Sequence, residues 1–249
     1  MLRSIPIALS SCLLATTAFA DGTHALHQSG AVLSGANAAV RADYDILAAH
    51  VHRDGATLTF HMTTSGKAGA SRPASTGAMA GSRVETYAWP TSLDPSTVGF
   101  EQKAGILALV ATVHPDFDDT PLFDENNDGQ LGNDGNVWHS HWVVLVPNEA
   151  CGKGALAVKD IPAGTRPPLP RTWPGVPVLL DSPGYSPVFD GPEIKVSVPL
   201  DTAEAPEAMA YDGVTAALKV NANVHAPLLC ITDVFDVASG NLSLPGRLK

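Results

Sequence analysis

The chain is short of positive charge. Its 249 residues hold 15 Lys and Arg against 25 Asp and Glu, a net charge of −10. Such a field turns away nucleic acid and anionic lipid and draws in cations. Long hydrophobic runs are missing too, since no segment approaches the roughly 18 uninterrupted apolar residues of a membrane-spanning helix. No nucleic-acid partner and no membrane insertion are therefore expected. Cysteine is scarce, limited to Cys12, Cys151 and Cys230 with no Cys-x-x-Cys pair, which speaks against a thiolate metal site. The Gly-x-Ser-x-Gly elbow, the His-Glu-x-x-His pair, the Walker loop and the dinucleotide-binding glycine pattern are all absent. Gly77-Ala78-Met79-Ala80-Gly81 has the elbow's glycines without its serine. Nothing names a general base or a substrate pocket, and the balance is against an enzyme.

What is present begins with a leader. Residues 1–20 read as a secretory signal peptide: Arg3 supplies the positive start, Ile5 to Leu14 is mostly apolar, and Ala18-Phe19-Ala20 precedes Asp21. The expected location is periplasmic or secreted. Leu9-Ser10-Ser11-Cys12 is similar to a lipoprotein cleavage box but lies early, with the apolar run continuing past it. In an oxidising compartment Cys151 and Cys230 pair first as a disulfide. The loop it closes is about 80 residues, worth roughly 4 kcal/mol in the chain-entropy model.

Residues 21–249 are expected to form a single all-β domain, an antiparallel β-sandwich of Ig-like or jelly-roll-like type with long irregular loops. Residues 21–42 are small and polar and are expected to be partly disordered. In Asp45 to Met62, Leu47, Ala49 and Val51 alternate with Ala48, His50 and His52. After the turn, Leu58, Phe60 and Met62 alternate with Thr57, Thr59 and His61. Asp54-Gly55 between two alternating runs is a hairpin signal. Further strands are expected at Ile106–Val113, Val137–Val146, Glu193–Leu200, Val214–Val224 and Leu228–Val237, and a short helix within Asp201–Ala210. The proline-rich stretch 162–192 reads as an extended connection, with a short edge strand at Val176–Leu180.

Charge is uneven along the chain. Between Lys103 and Lys153 there is no Lys or Arg, while Asp116, Asp118, Asp119, Asp124, Glu125, Asp128, Asp134 and Glu149 fall in that stretch. A lobe so acidic repels itself unless cations neutralise it. Within it, Asp124, Asn126 and Asp128 alternate as oxygen donors before Gly129, Gln130 offers a carbonyl, and Leu131 is apolar. With Asp124 as position one, these residues resemble the first half of an EF-hand or dockerin-type calcium loop over Asp124–Asp134. The resemblance implies calcium held by Asp124, Asn126, Asp128 and Gln130. Position twelve is Gly135, where that pattern has a bidentate Glu, so the missing donor would come from Asp134 at eleven, or from Glu149 or Asp116–Asp119 folding back. The same residues also suit a simply solvated turn.

Histidine supplies a second ligand set. If Asp54-Gly55 forms the two-residue turn, His50 faces Thr59 and His61 faces Ala48. His50, His52 and His61 then share one sheet face, with His50 and His61 diagonal neighbours roughly 7–8 Å apart between backbones. His139 and His141 repeat the His-x-His spacing on another strand, on a face that also carries Val143 and Leu145. Imidazoles from two strands suit copper, zinc or iron; His114 is a lesser candidate. The resulting expectation is an exported metal-binding protein, serving metal uptake, delivery or homeostasis with a periplasmic or membrane transport partner. Two rivals stand beside it. One is a metal-dependent exported enzyme with three convergent histidines and an open coordination position. The other is a calcium-stabilised carbohydrate- or protein-binding module, with Trp89, Trp138, Trp142 and Trp173 as stacking platforms.

Overall fold

In the computed structural model, which describes residues 30–115, 124, 128–131, 137–200 and 206–248, the alternating runs become strands joined by antiparallel pairing. Among the described residues these are β1 (Val32–Leu33), β2 (Ile46–Asp54), β3 (Thr57–Thr64), β4 (Arg83–Pro90), β5 (Ile106–Val113), β6 (His139–Pro147), β7 (Leu156–Val158), β8 (Leu180–Asp181), β9 (Val188–Asp190), β10 (Glu193–Pro199), β11 (Ala210–Tyr211), β12 (Val214–Val220), β13 (Leu229–Val237) and β14 (Gly246–Arg247). No described helix is long and apolar enough to cross a membrane.

The β2–β3 hairpin forms with a register different from the expected one. Asp54 pairs Thr57, so Gly55-Ala56 is the turn, and His50 stands directly opposite His61. Gly55 takes φ 58° and Ala56 is not in the positive-φ region, the pattern of a II′ turn with glycine first. The expected Asp54-Gly55 turn would have placed a positive φ on an aspartate as well, which glycine alone avoids. Which residues share a face is unchanged, because the shift preserves the two-residue alternation.

Two sheets dominate. The first runs β1-β2-β3-β10-β9. The second runs β5-β4-β12-β13-β7-β6, with β8 added outside β6, and a β5–β6 pairing joins its ends. That pairing spans Ile106↔Leu145 to Thr112↔His139. The expected sandwich is therefore corrected: the second layer is a closed six-stranded barrel with the first sheet packed on its outer wall. Register shifts at Thr215/Ala216 and Ala217/Leu218, between β12 and β13, bend the wall as bulges do.

Side-chain size separates the two faces of the shared wall. Tyr87, Trp89, Leu107, Leu109, Trp142 and Val144 point outward and pack with Val51, Leu58, Phe60, Ile194 and Val196 of the first sheet. Phe60 meets Trp89 and Trp142 edge-on, at ring centroids 6.0 and 5.8 Å apart. Ala88, Ala108, Val110, Val143 and Ala216 point inward. Because β5 is covered on both sides, its sequence ILALVATV is apolar at nearly every position. Where the layers come closest, Gly213 has no alternative: an added Cβ would lie 2.6 Å from the Ala49 Cβ.

Closure has one thin seam. β13 and β7 share a single pair, Cys230↔Ala157. The Cys151–Cys230 disulfide, with Cα atoms 5.4 Å apart, ties the turn after β6 to β13 at that point. Other expectations are amended. Residues 30–42 are held in place, since β1 pairs β2 through Val32↔Ala49 and Leu33↔Ala48. The 162–192 connection carries β8 and β9, and the apolar side chains around β8 face the barrel interior. The leader, and residues 201–205 of the expected helix, lie outside the described residues.

Candidate functional site

The small inward residues leave a cavity of about 710 Å³ inside the barrel. Six strands would ordinarily enclose little more than their own side chains. Here alanines and valines line the wall where leucine and aromatic residues would fill it, and the cavity reaches solvent beside Ile106, Leu131 and Val234, all of them exposed. Its volume lies in the usual range of small-molecule pockets.

One end of the cavity is polar. Thr86, Thr112, His114 and His141 line it there. Thr112 and His139 are a cross-strand pair, as are Val110 and His141, so period-two alternation carries Thr112, His114, His139 and His141 to the inner face. His139 and His141 are almost fully buried, at 1% and 3% exposure. Their rings lie 4.9 Å apart between centroids, and His114 and His139 lie 5.1 Å apart; both pairs are near-perpendicular. The Nδ1 atoms lie against main-chain carbonyls: His114 on Pro115 at 3.0 Å, His139 on Val137 at 2.9 Å, and His141 on Asp181 at 3.3 Å, with the Ser182 hydroxyl at 3.1 Å. The Thr112 hydroxyl is buried with no hydrogen-bond partner among the described residues, a state that costs about 1–3 kcal/mol unless another group, water or a ligand meets it.

The other histidine cluster lies on the outer face of the first sheet. His50 and His61 are buried, His52 is exposed. The His61 Nδ1 stands 3.2 and 3.1 Å from the two ring nitrogens of His50, with the rings near-perpendicular, so the edge of one meets the face of the other. Burial pushes both imidazoles down to about 4, and the proximity of His52 to His50, and of His50 to His61, pushes the same way. Beyond them, the Lys195 ammonium lies 2.7 Å from Glu193, which it holds below the ordinary carboxylate range. The same carboxylate is 3.5 Å from the His61 Nε2.

The expected five-histidine framework therefore divides. His50, His52 and His61 and the pair His139 and His141 occupy opposite sides of the aromatic core, because each set alternates away from the residues that fill it. His114 joins the second set instead. Among the described residues no group of three or more His, Cys, Asp or Glu is placed so that it could hold a metal ion. In the acidic loop, Asp124 accepts from the Asp128 and Gly129 amides at 3.0 and 2.8 Å, and Asp128 accepts from the Gln130 amide at 2.8 Å. Gly129 has φ 86°. Asn126 and Asp134 lie outside the described residues. The stacking platforms are corrected: Trp89, Trp138 and Trp142 are buried, and the half-buried Trp173 donates to the Val176 carbonyl at 2.9 Å.

The cavity had a sequence signal that alternation alone does not weigh. Along β4 and β5 one face carries large side chains, Tyr87, Trp89, Leu107 and Leu109, and the other carries the smaller Val84, Ala88, Ala108 and Val110. The chain matches no family model, no curated protein and no solved structure.

Proposed function

We propose that this is an exported binding protein that carries a small, mainly apolar molecule inside the barrel. The cavity carries the reading: about 710 Å³ of space walled mainly by alanine and aliphatic side chains, with Thr86, Thr112, His114 and His141 gathered at one end. An apolar body would lie against Ala88, Val110, Val143 and Ala216, and one polar group would meet Thr112 and His141. Burying about 300 Å² of ligand hydrocarbon contributes about 7 kcal/mol before the costs of association. With those costs and one or two hydrogen bonds, a dissociation constant of about micromolar size follows. The leader and the disulfide support the export half of the reading.

Titration with an environment-sensitive lipophilic fluorophore tests the carrier. Saturable one-to-one binding is expected. Ala88→Phe and Ala216→Phe, which aim a ring into the space, should each weaken it at least about tenfold with the fold intact. A folded protein that binds no such probe, or that binds it equally well with both rings in place, overturns the proposal.

A further inference from the structure

We propose that the molecule carried in the barrel is a long-chain carboxylate, with its anionic group at the Lys153 ammonium and its hydrocarbon chain running along the cavity toward Thr112. This ligand class rests on the carrier reading and adds to it a charge, a length and a direction.

Charge comes first. The chain carries 25 Asp and Glu against 15 Lys and Arg, yet no described Asp, Glu or Arg lines the cavity, and Lys153 does. Lys153 is exposed, and its ammonium has no hydrogen bond or ion pair among the described residues. Glu149, the acid nearest to it in sequence, accepts instead from the Gly154 amide at 3.2 Å. The net field of the protein repels anions. A lone cation beside an apolar opening gives an anionic head group its one favourable place on this lining. The lysine stem can lie along the apolar wall while the ammonium stays in water.

Strand pairing fixes which end Lys153 occupies. β5 begins where β6 ends, with Ile106 opposite Leu145, and ends where β6 begins, with Thr112 opposite His139. Lys153 lies in the connection from β6 to β7, where Pro147 and Leu156 pair with each other. It therefore stands at the rim opposite Thr112 and His141. The exposed Ile106 lines the cavity at that rim, and so do Leu242 and Leu244, beyond the end of β13. Both leucines take a left-handed backbone, φ 55° and 51°, which is uncommon for a bulky residue and marks a built edge.

Length follows from β6. From His141 to Pro147 the strand advances six residues, about 20 Å at 3.3–3.4 Å each. An extended hydrocarbon chain with bonds of about 1.5 Å gains about 1.3 Å per carbon, so about 15 carbons cover the distance. Val110, Val143, Leu145 and Val158 wall the path, and none of these side chains can hydrogen-bond, so the middle of the ligand is hydrocarbon.

The test uses the intact protein, stripped of lipid and loaded with an uncharged environment-sensitive fluorophore. Displacement is measured with hexadecanoate and hexadecanol, each below the concentration at which it aggregates. Hexadecanoate should bind at least about tenfold more tightly than hexadecanol. In Lys153→Gln, a change on an exposed turn, that ratio should fall to within about twofold, and in wild type it should shrink at about 1 M salt. Affinity should rise several-fold per methylene from decanoate to tetradecanoate and level off beyond about 16 carbons. Hexadecanol binding as tightly as hexadecanoate, a ratio unchanged in Lys153→Gln, or affinity that does not rise with chain length overturns this ligand class while fluorophore binding leaves the carrier reading in place. A folded protein that takes up neither the fluorophore nor either chain overturns both.

Discussion

Removing the disulfide with Cys151→Ala and Cys230→Ala should act on stability and on the cavity together. The bond joins residues 79 apart, and the chain-entropy relation assigns a loop of that length about 4 kcal/mol. For a domain of this size each kcal/mol corresponds to about 2–4 °C, so the melting temperature should fall by about 8–16 °C. The bond also lies where β13 meets β7 through one residue pair, whereas β5 and β6 pair along seven. Loss of the covalent tie should let the barrel open at that seam before the first sheet leaves its outer wall. Affinity for a lipophilic probe should therefore drop at temperatures where far-ultraviolet circular dichroism still reports a full complement of strand. Thermal melts followed by circular dichroism and by probe fluorescence, on the double variant and on reduced protein, measure both effects. A melting temperature lowered by less than about 3 °C would refute the stability estimate. Coincident loss of probe binding and strand signal would refute the seam as the weak point.

Stability should fall as pH is lowered from 6.5 toward 4. His50 and His61 have folded values of about 4 against an ordinary 6.5, so over that window the unfolded chain binds more protons and gains relative to the native state. Urea titrations should show the decline above about pH 5, before most carboxylates titrate, and His50→Gln with His61→Gln should flatten it; an equal slope in that variant contradicts the assignment. For the acidic loop, Asp124→Ala with Asp128→Ala should abolish any calcium-linked rise in melting temperature, and a rise that persists in that variant removes the loop as its source.

Local chemistry was legible wherever neighbours in sequence decide the outcome. The strands at Ile106–Val113 and Glu193–Pro199 follow from residue type and alternation, and the pairing of Cys151 with Cys230 follows from there being no other partners after the leader. Strand β4 is harder to read. Its sequence mixes Glu85 and Thr86 with Tyr87 and Trp89, and it makes sense only when Glu85 is seen to accept from the Tyr44 hydroxyl at 2.6 Å. The His50–His61 contact depended on a turn whose start differs by one residue between two readings, a difference that the preference of glycine for positive φ resolves only in the folded hairpin.

By itself the sequence determined that the chain is all-β, acidic, stapled once, and provided with histidines at alternating positions, because composition and period two act through adjacent residues. Tertiary structure alone decided that the second sheet closes, that the small face of β4, β5 and β12 surrounds a cavity, and that His114 joins His139 and His141 while His50 and His61 lie across the core. Those outcomes depend on pairing between strands far apart in the chain. The free energy of such pairing comes from burying one face against a partner that no local pattern identifies.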